Sequence, residues 1–358
     1  MESAAHRSSR AQYDKLRTEV RAVVDSFIGY FGPSRFVELL GNPAGLHSFM
    51  TLIHPGSPMS ATVELTFSLL KDVLAPTDGV AVVGGVYSEK FRVPDEIDQL
   101  ATYMGIPEVD VERLKAISRA TAKVDGVAVQ DGYELWLHVM VFSVECAWSV
   151  VQIGHKSVLR RLYLWNSERV AERDIVDEPH TLILSDSRAR YCLDFTHSMN
   201  WSLRKASVEV LKEGIGRLRK VAMSYRPREQ RSLLEYAEGA SVEENPLTSP
   251  VRVNWRVLGE LYRAHPKDFR DLLMHRGVGI STLRFIAICA NRLYDVVPTL
   301  EDRAVVEVRT YPIGDESEQL CYDLLEAIRY SRIQELRRRE LEERLERLVE
   351  KLFGLQQN

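Results

Sequence analysis

The pattern of apolar and polar positions divides the chain into a helical beginning, a β-rich middle and a helical end. Apolar residues recur at three- and four-residue steps along residues 11–40 and again along 60–74, which is the spacing of amphipathic helices. Residues 127–154 alternate instead and are rich in valine and aromatic residues, as is typical of strands. The pattern therefore predicts an α+β fold, in which a small antiparallel or mixed sheet is flanked by helices and the C-terminal part is mainly helical.

Turn and loop signals place four segments along the chain. We expect a helical region in 1–78, an α+β core in 79–198, a helical region containing a helix-hairpin-helix in 199–310 and an amphipathic helix in 311–358. Within the core, the turn residues between two alternating runs predict a β-hairpin.

Two stretches near the first domain boundary carry candidate chemistry. Three prolines in residues 41–58 predict a loop there rather than a helix. His47 and His54 could bind a metal only if a helix placed them on one face, so no metal site is predicted. Residues 79–87 predict a buried strand that ends in a bend at its two adjacent glycines. No complete phosphate-binding motif follows them, so this bend is expected to be structural.

Composition and charge limit the classes of function. The chain has 358 residues, 45% of them hydrophobic and 27% charged, with a net charge of -4. A contact with nucleic acid therefore has to come from a local basic surface. The four cysteines are far apart and lack a CxxC pair, which indicates a reducing cytoplasm and argues against a disulfide framework or a thiolate zinc site. The first residues lack the apolar core of a signal peptide, and no long apolar run predicts a membrane span.

Residues 271–291 contain the most informative motif. An amphipathic run leads into Gly277-Val278-Gly279, and a second apolar run with helical spacing follows. Two glycines around one hydrophobic residue fit a short turn between two helices, with the valine filling the gap between them. Backbone N–H groups at the start of the second helix would then point outward and suit a phosphate. An ordinary interhelical turn is the alternative.

Basic residues are in excess around this turn. Residues 252–295 carry eight arginines and lysines against four acids. Positive charge beside outward-pointing N–H groups is what sequence-independent phosphate binding requires, although a solvated helix face would look similar. The residues predicted to bind the DNA backbone are Arg276, Gly277, Val278, Gly279, Ser281, Thr282 and Arg284.

A second group of candidates lies in the β-rich part. Lys123, Asp125 and Asp131 fall within nine positions and could act in acid–base chemistry or supply an amine nucleophile. Asp131-Gly132 is also a common turn signal between strands, so a structural role is the alternative. His180 could be a base or a metal ligand, or a buried, hydrogen-bonded histidine.

Five short strings, in this order, together resemble the prokaryotic domain-of-unknown-function family 763. They are SRATAKVD (118–125), VQDGY (129–133), WSVVQ (148–152), EPH (178–180) and the hairpin within 273–293. The chain departs from the family pattern at Ile153-Gly154, where Gln-Gly-Met is usual, and at residues 54–57, where a Trp-His-Ser-Ser-Gly-like string is reduced. The resemblance implies no particular activity.

The hairpin and the residues after it also resemble the helix-hairpin-helix DNA glycosylases. In those enzymes a catalytic aspartate follows the hairpin beside an apolar-Pro step, and Glu301 or Asp302 stands at the matching place. Bifunctional members carry a Schiff-base lysine where this chain has Ser281. The resemblance therefore implies base excision assisted by a carboxylate, without lyase chemistry by an amine nucleophile.

Together these features predict a cytoplasmic DNA-binding protein of the DNA-repair class, acting as a base-excision glycosylase or nuclease without a cofactor. The alternative is a non-catalytic nucleic-acid-binding or assembly protein that has lost the chemistry. A third hypothesis is a small-molecule enzyme built on residues 118–180. The expected partner is DNA, no membrane contact is expected, and the C-terminal helix in 311–358 could pair with a second copy.

Overall fold

A five-stranded antiparallel sheet crosses the middle of the computed structural model, which describes residues 4–57, 59–86, 88–225, 245–306 and 315–354. The strands are β1 (Val80–Val86), β2 (Val129–Gln130), β3 (Glu134–Ser143), β4 (Trp148–Lys156), β5 (Leu159–Asn166), β6 (Leu182–Ser185) and β7 (Leu193–Asp194). The large sheet has the order β1-β3-β4-β5-β6, while β2 and β7 form a separate antiparallel pair. The predicted α+β class is confirmed, and the predicted hairpin is the β3–β4 pair.

Helices cover both faces of the large sheet. They are α1 (Ala4–Phe31), α2 (Pro33–Gly41), α3 (Pro43–Ile53), α4 (Met59–Val73), α5 (Val93–Tyr103), α6 (Glu108–Lys123), α7 (Ser167–Glu172), α8 (Trp201–Lys212), α9 (Ile215–Ser224), α10 (Trp255–Ala264), α11 (Phe269–Met274), α12 (Ile280–Tyr294), α13 (Asp315–Tyr330) and α14 (Glu335–Phe353). No helix in these described ranges is both long and apolar enough to cross a membrane.

The sheet separates two hydrophobic cores. Alternate residues of a strand point to opposite faces, so Val139 and Val141 of β3 join one core while Met140 and Phe142 join the other. The first core contains α1 to α4 together with α13 and α14. The second contains α5, α6 and α8 to α12. The N-terminal and C-terminal helices therefore share the first core. The turn at Gly277-Val278-Gly279, with α11 and α12, belongs to the second core.

The loop predicted for residues 41–58 is wrong, because α3 occupies most of it. The Asn42 side chain accepts hydrogen bonds from the N–H groups of Ala44 and Gly45, at 3.0 and 3.2 Å, and so caps the helix. Pro43 takes the first helical position, where a missing N–H costs nothing. Among the described residues, no group of three or more His, Cys, Asp or Glu side chains could hold a metal.

The bend predicted at the glycines of β1 is also wrong. Gly84 and Gly85 continue the strand, opposite Val139 and His138 of β3. Gly84 has φ +86, and a Cβ there would lie 2.2 Å from the His138 carbonyl oxygen, so the position needs glycine for close strand pairing. At the other end of the chain, residues expected to form one long helix form α13 and α14.

Candidate nucleic-acid interface

The hairpin predicted from the sequence is a turn between α11 and α12. Gly277 has φ +86, and a Cβ at this position would lie 2.9 Å from Cγ2 of Val257. The left-handed backbone and the close approach of α10 both require glycine here. Val278 is buried in the second core, and its N–H donates to the His275 carbonyl at 3.2 Å. The valine side chain is therefore covered by the second core.

Gly279 has a different role, because neither its backbone nor its surroundings demand glycine. Its φ of -136 is extended, and a Cβ would meet no atom within 4 Å. Gly279 is the N-cap of α12, and no side chain caps this helix. The N–H groups of its first turn have no partner within the helix, and the positive end of the helix dipole lies there. Ile280 and Ser281 are exposed beside them.

The predicted DNA-contacting side chains differ in their accessibility. Arg276 is exposed on the turn, whereas Thr282 is buried and packs inside. Arg284 is half-buried, and its Nε donates to Oε1 of Gln130 at 3.2 Å. The side chains that remain accessible on the turn are therefore Arg276 and Ser281.

Two side chains from the β-rich part of the sequence hold the turn by hydrogen bonds to its backbone carbonyls, and we call this pair the brace. Nζ of Lys123, at the end of α6, donates to the Val278 carbonyl at 2.5 Å. Nε2 of Gln130 donates to the Ile280 carbonyl at 3.2 Å. Burial lowers the pKa of Lys123. The half-buried Lys123 side chain thus places its amine against the backbone just before α12, where it is engaged by the Val278 carbonyl.

Asp125 lies next to this brace, in a π-helical turn that follows α6. It is fully buried and accepts hydrogen bonds from Nε2 of His180 at 2.6 Å, from Nε1 of Trp165 at 2.9 Å and from the Gln152 amide. Burial raises the pKa of Asp125, and His180 opposes that shift. Nδ1 of His180 is buried without a partner in the described part of the chain.

The chain of hydrogen bonds extends from Gln152 across the sheet. Nδ1 of His138 lies 2.9 Å from Oε1 of Gln152, and Nε2 of His138 lies 2.9 Å from the Ser118 hydroxyl. Because the Gln152 oxygen can only accept, Nδ1 of His138 carries the proton and Nε2 accepts from Ser118. Burial lowers the pKa of His138 to about 4, which keeps this imidazole neutral. We call these residues, with Asp125, Trp165 and His180, the Asp125 cluster.

Asp131 belongs to a second buried cluster, centred on Arg161. Nη1 of Arg161 donates to Asp131 at 2.8 Å, and Nη2 donates to Asp302 at 2.5 Å. The Tyr163 hydroxyl also donates to Asp131, at 2.6 Å. Burial raises the pKa of Asp131, although Arg161 and Tyr163 act in the opposite direction. This cluster ties β5 to the segment that follows α12.

The two predicted catalytic carboxylates have opposite surroundings. Asp302 is buried and also accepts from the N–H groups of Ala189 at 2.6 Å and Ala304 at 3.0 Å. Glu301 is exposed, and its own N–H donates to Oγ1 of Thr299 at 3.3 Å. Asp302 is therefore already fully engaged with protein donors, and its setting supports a structural role.

Arg303 extends this linkage to β7. Its Nη2 donates to Asp194 at 2.6 Å and to the Thr196 hydroxyl at 2.8 Å. Burial pushes the pKa of Asp194 upward, but Arg303 and the Thr196 hydroxyl together outweigh burial, and the pKa lies below its ordinary value. Residues 302 and 303 thus anchor the end of the hairpin region to two different strands.

Sequence reasoning missed Arg161, His138, Arg303 and Asp194. A signal existed for Arg161, because it alternates with Tyr163 and Trp165 along β5 and so had to share their buried face. A charged residue on such a face needs a charged partner. No comparable pattern marks Arg303, which lies outside regular structure.

The fold and clusters define an α+β protein with two buried polar networks, one of which ties β5 to the segment that follows α12. The chain belongs to the family described as Protein of unknown function (DUF763), which it matches over residues 13–315. No curated protein and no solved structure matches the chain. The matched range includes the hairpin, its brace and both clusters.

Proposed function

We propose that this protein binds DNA without reading its sequence, by holding backbone phosphates at the turn between α11 and α12. The observation that carries the proposal is the uncapped start of α12 at Gly279, with the Lys123 ammonium 2.5 Å from the Val278 carbonyl behind it. The helix dipole, the outward N–H groups and a half-buried lysine nearby all favour an anion at this point.

The exposed residues around the turn support a contact with the DNA backbone. Arg276 provides a mobile cation, and Ser281 provides a hydroxyl at the start of the helix. Contacts of this kind position a protein on DNA and carry no base information. All four cysteines are free thiols, which is consistent with a function in the cytoplasm.

Repair chemistry remains a prediction from the glycosylase resemblance, and the geometry supports binding more strongly than catalysis. Asp302 is engaged with Arg161 and two backbone N–H groups, which leaves Glu301 as the accessible carboxylate of the pair. A non-catalytic nucleic-acid-binding role therefore needs fewer assumptions than base excision does.

The proposal is tested by adding one negative charge at the start of α12. A glutamate at position 281 suits the helix dipole and should not impair folding, but it repels phosphate. We expect Ser281→Glu to weaken binding to a labelled duplex by about tenfold or more in fluorescence anisotropy. It should also reduce the dependence of log affinity on log salt by about one unit.

Leu336→Glu is the matched control. Leu336 is exposed in the first turn of α14, on the opposite side of the sheet, so the variant has the same net charge and helix position. We expect its duplex affinity to match the wild type. Equal weakening by both variants, or duplex binding that is absent or independent of salt in the wild type, would contradict the proposal.

A further inference from the structure

A groove of about 400 Å³ lies between α8 and the beginning of α11. We propose that it takes an unpaired nucleotide of the DNA strand held at the hairpin, with the base stacked on Trp201. This inference rests on the proposed function and extends it, because it names DNA with a single-stranded end or extruded base as the preferred form. The volume lies within the ~300–1,000 Å³ typical of small-ligand sites.

The groove combines an apolar floor with a basic rim. Val176, Val208 and Phe269 contribute the apolar surface. Phe269 is fixed in place by stacking on Phe195, with ring centroids 5.2 Å apart. A nucleotide matches this arrangement, because its flat base prefers apolar contact and its charged phosphate prefers cations.

Charge around the groove favours a polyanion. Lys205, Lys267 and Arg270 are exposed on its rim and form no ion pair with any residue that the structure describes. The acids that line the groove are Asp174, Glu209 and Asp268, one fewer than its cations, which also include Arg204. Asp268 accepts from the Asp271 N–H at 2.8 Å, and Glu209 pairs with Lys212 at 2.7 Å. The cations therefore remain available to phosphates.

An exposed indole lies on the same helix as one of these cations, Lys205. Trp201 begins α8 and is 61% exposed. It lies one turn before Lys205, so both side chains project from the same face of the helix. Aromatic side chains next to a basic groove are the usual platforms for unpaired bases, and each stack is tolerant of sequence. A base within a duplex could not stack in this way, which is why the occupant is unpaired.

Helix α11 begins at the groove and ends at the turn that precedes α12. Arg270 and Met274 are four residues apart on the exposed side of this helix, and the turn with Arg276 follows directly. A helix of 6 residues is about 9 Å long. Since one strand of DNA advances ~3.4 Å per nucleotide along the duplex axis, the strand at the hairpin reaches the groove within about three nucleotides.

The test compares a blunt duplex with the same duplex carrying a short single-stranded overhang, in both polarities, by fluorescence anisotropy. We expect the wild type to bind one overhang form about tenfold more tightly than the blunt form, from one stacked base. Trp201→Ala should remove this preference without changing affinity for the blunt duplex. Trp201→Phe, which keeps an aromatic ring, should retain part of it.

Tyr103→Ala serves as control, because Tyr103 is an exposed aromatic residue at the end of α5. Equal wild-type affinity for all forms, or a preference that survives in Trp201→Ala, overturns the groove proposal while hairpin binding stands. Binding of overhang DNA that needs Trp201 but is unaffected by Ser281→Glu supports the groove and overturns the hairpin. Absence of binding to every form overturns both.

Discussion

Arg161 is a buried cation balanced by two carboxylates, Asp131 and Asp302. Asp302→Asn removes one of these charges, and breaking a buried pair by deleting one partner is strongly destabilising. We expect the free energy of unfolding, measured by urea denaturation, to fall by about 3 kcal/mol. The adjacent Glu301→Gln should change it by less than about 0.5 kcal/mol, because Glu301 is exposed. Equal stabilities of the two variants would contradict a structural role for Asp302.

His138 makes stability depend on pH. Burial lowers its pKa to about 4 in the folded protein, whereas an unfolded histidine titrates near 6.5. Between these values the unfolded chain binds more protons, so the free energy of unfolding decreases as the pH falls from about 6.5 to about 4. The contribution of this one group is about 3 kcal/mol.

His138→Gln isolates that contribution, because the neighbouring Asp125 and His180 are retained. Urea denaturation of both proteins at pH 7 and pH 4.5 should show a smaller loss of stability in the variant. Parallel pH dependences of the two proteins would show that His138 is not the group responsible.

The hydrogen-bond partners of the predicted site residues show why the sequence alone could select these residues but could not reveal their roles. Lys123, Asp125 and Asp131 could be selected because they are close together in sequence and carry reactive groups. Their partners are Val278, His180 and Arg161, which lie far away along the chain. Spacing reveals neighbours on one element, but it cannot reveal contacts made through tertiary packing.

At the scale of elements, the two glycines of the hairpin offer a matched comparison. Gly277→Ala forces a Cβ into a left-handed backbone and against Val257, which we expect to destabilise the protein by about 1–3 kcal/mol. Gly279→Ala meets open space in an extended backbone, so its cost should be smaller and limited to about 0.5–1 kcal/mol, because alanine is a poorer N-cap than glycine. Thermal unfolding of the two variants measures the difference. Equal losses would mean that the turn has another conformation.

Local patterns predicted most elements well, and they failed where position within an element mattered. Strands β3 and β4 alternate clearly because each side packs on a separate core. The prolines near α3 led to the wrong prediction of a loop, because Pro43 lies in the first turn of a helix, where proline is tolerated. The glycines of β1 led to the wrong prediction of a bend, because Gly84 allows β1 to pair closely with β3 and the strand continues.

At the scale of the whole molecule, the sheet brings distant parts of the sequence together. Arg35 of α2 donates to Asp323 of α13 at 2.9 Å, and Arg337 of α14 donates to Glu19 of α1 at 3.0 Å. Helices α1 to α4 and helices α13 and α14, from opposite ends of the sequence, therefore pack in one core. Sequence separation hides such an arrangement, because no local pattern states which elements share a face.

The C-terminal helices show that the sequence also does not reveal which surface covers an amphipathic helix. The apolar residues of α14 that could pair with a second copy are packed within their own chain. They are Leu341, Leu345, Val349 and Leu352. An amphipathic pattern predicts that a helix has a covered side, but it does not say whether the cover comes from the same chain.

The brace from Lys123 and Gln130 also affects the thermodynamics of the proposed binding. Both side chains hold backbone carbonyls of the turn, at Val278 and Ile280, in the free protein. A surface that is already ordered loses little conformational entropy on association, whereas a mobile loop has to be frozen by its ligand. Affinity at this turn would then depend mainly on counterion release from DNA, and hardly on coupled folding.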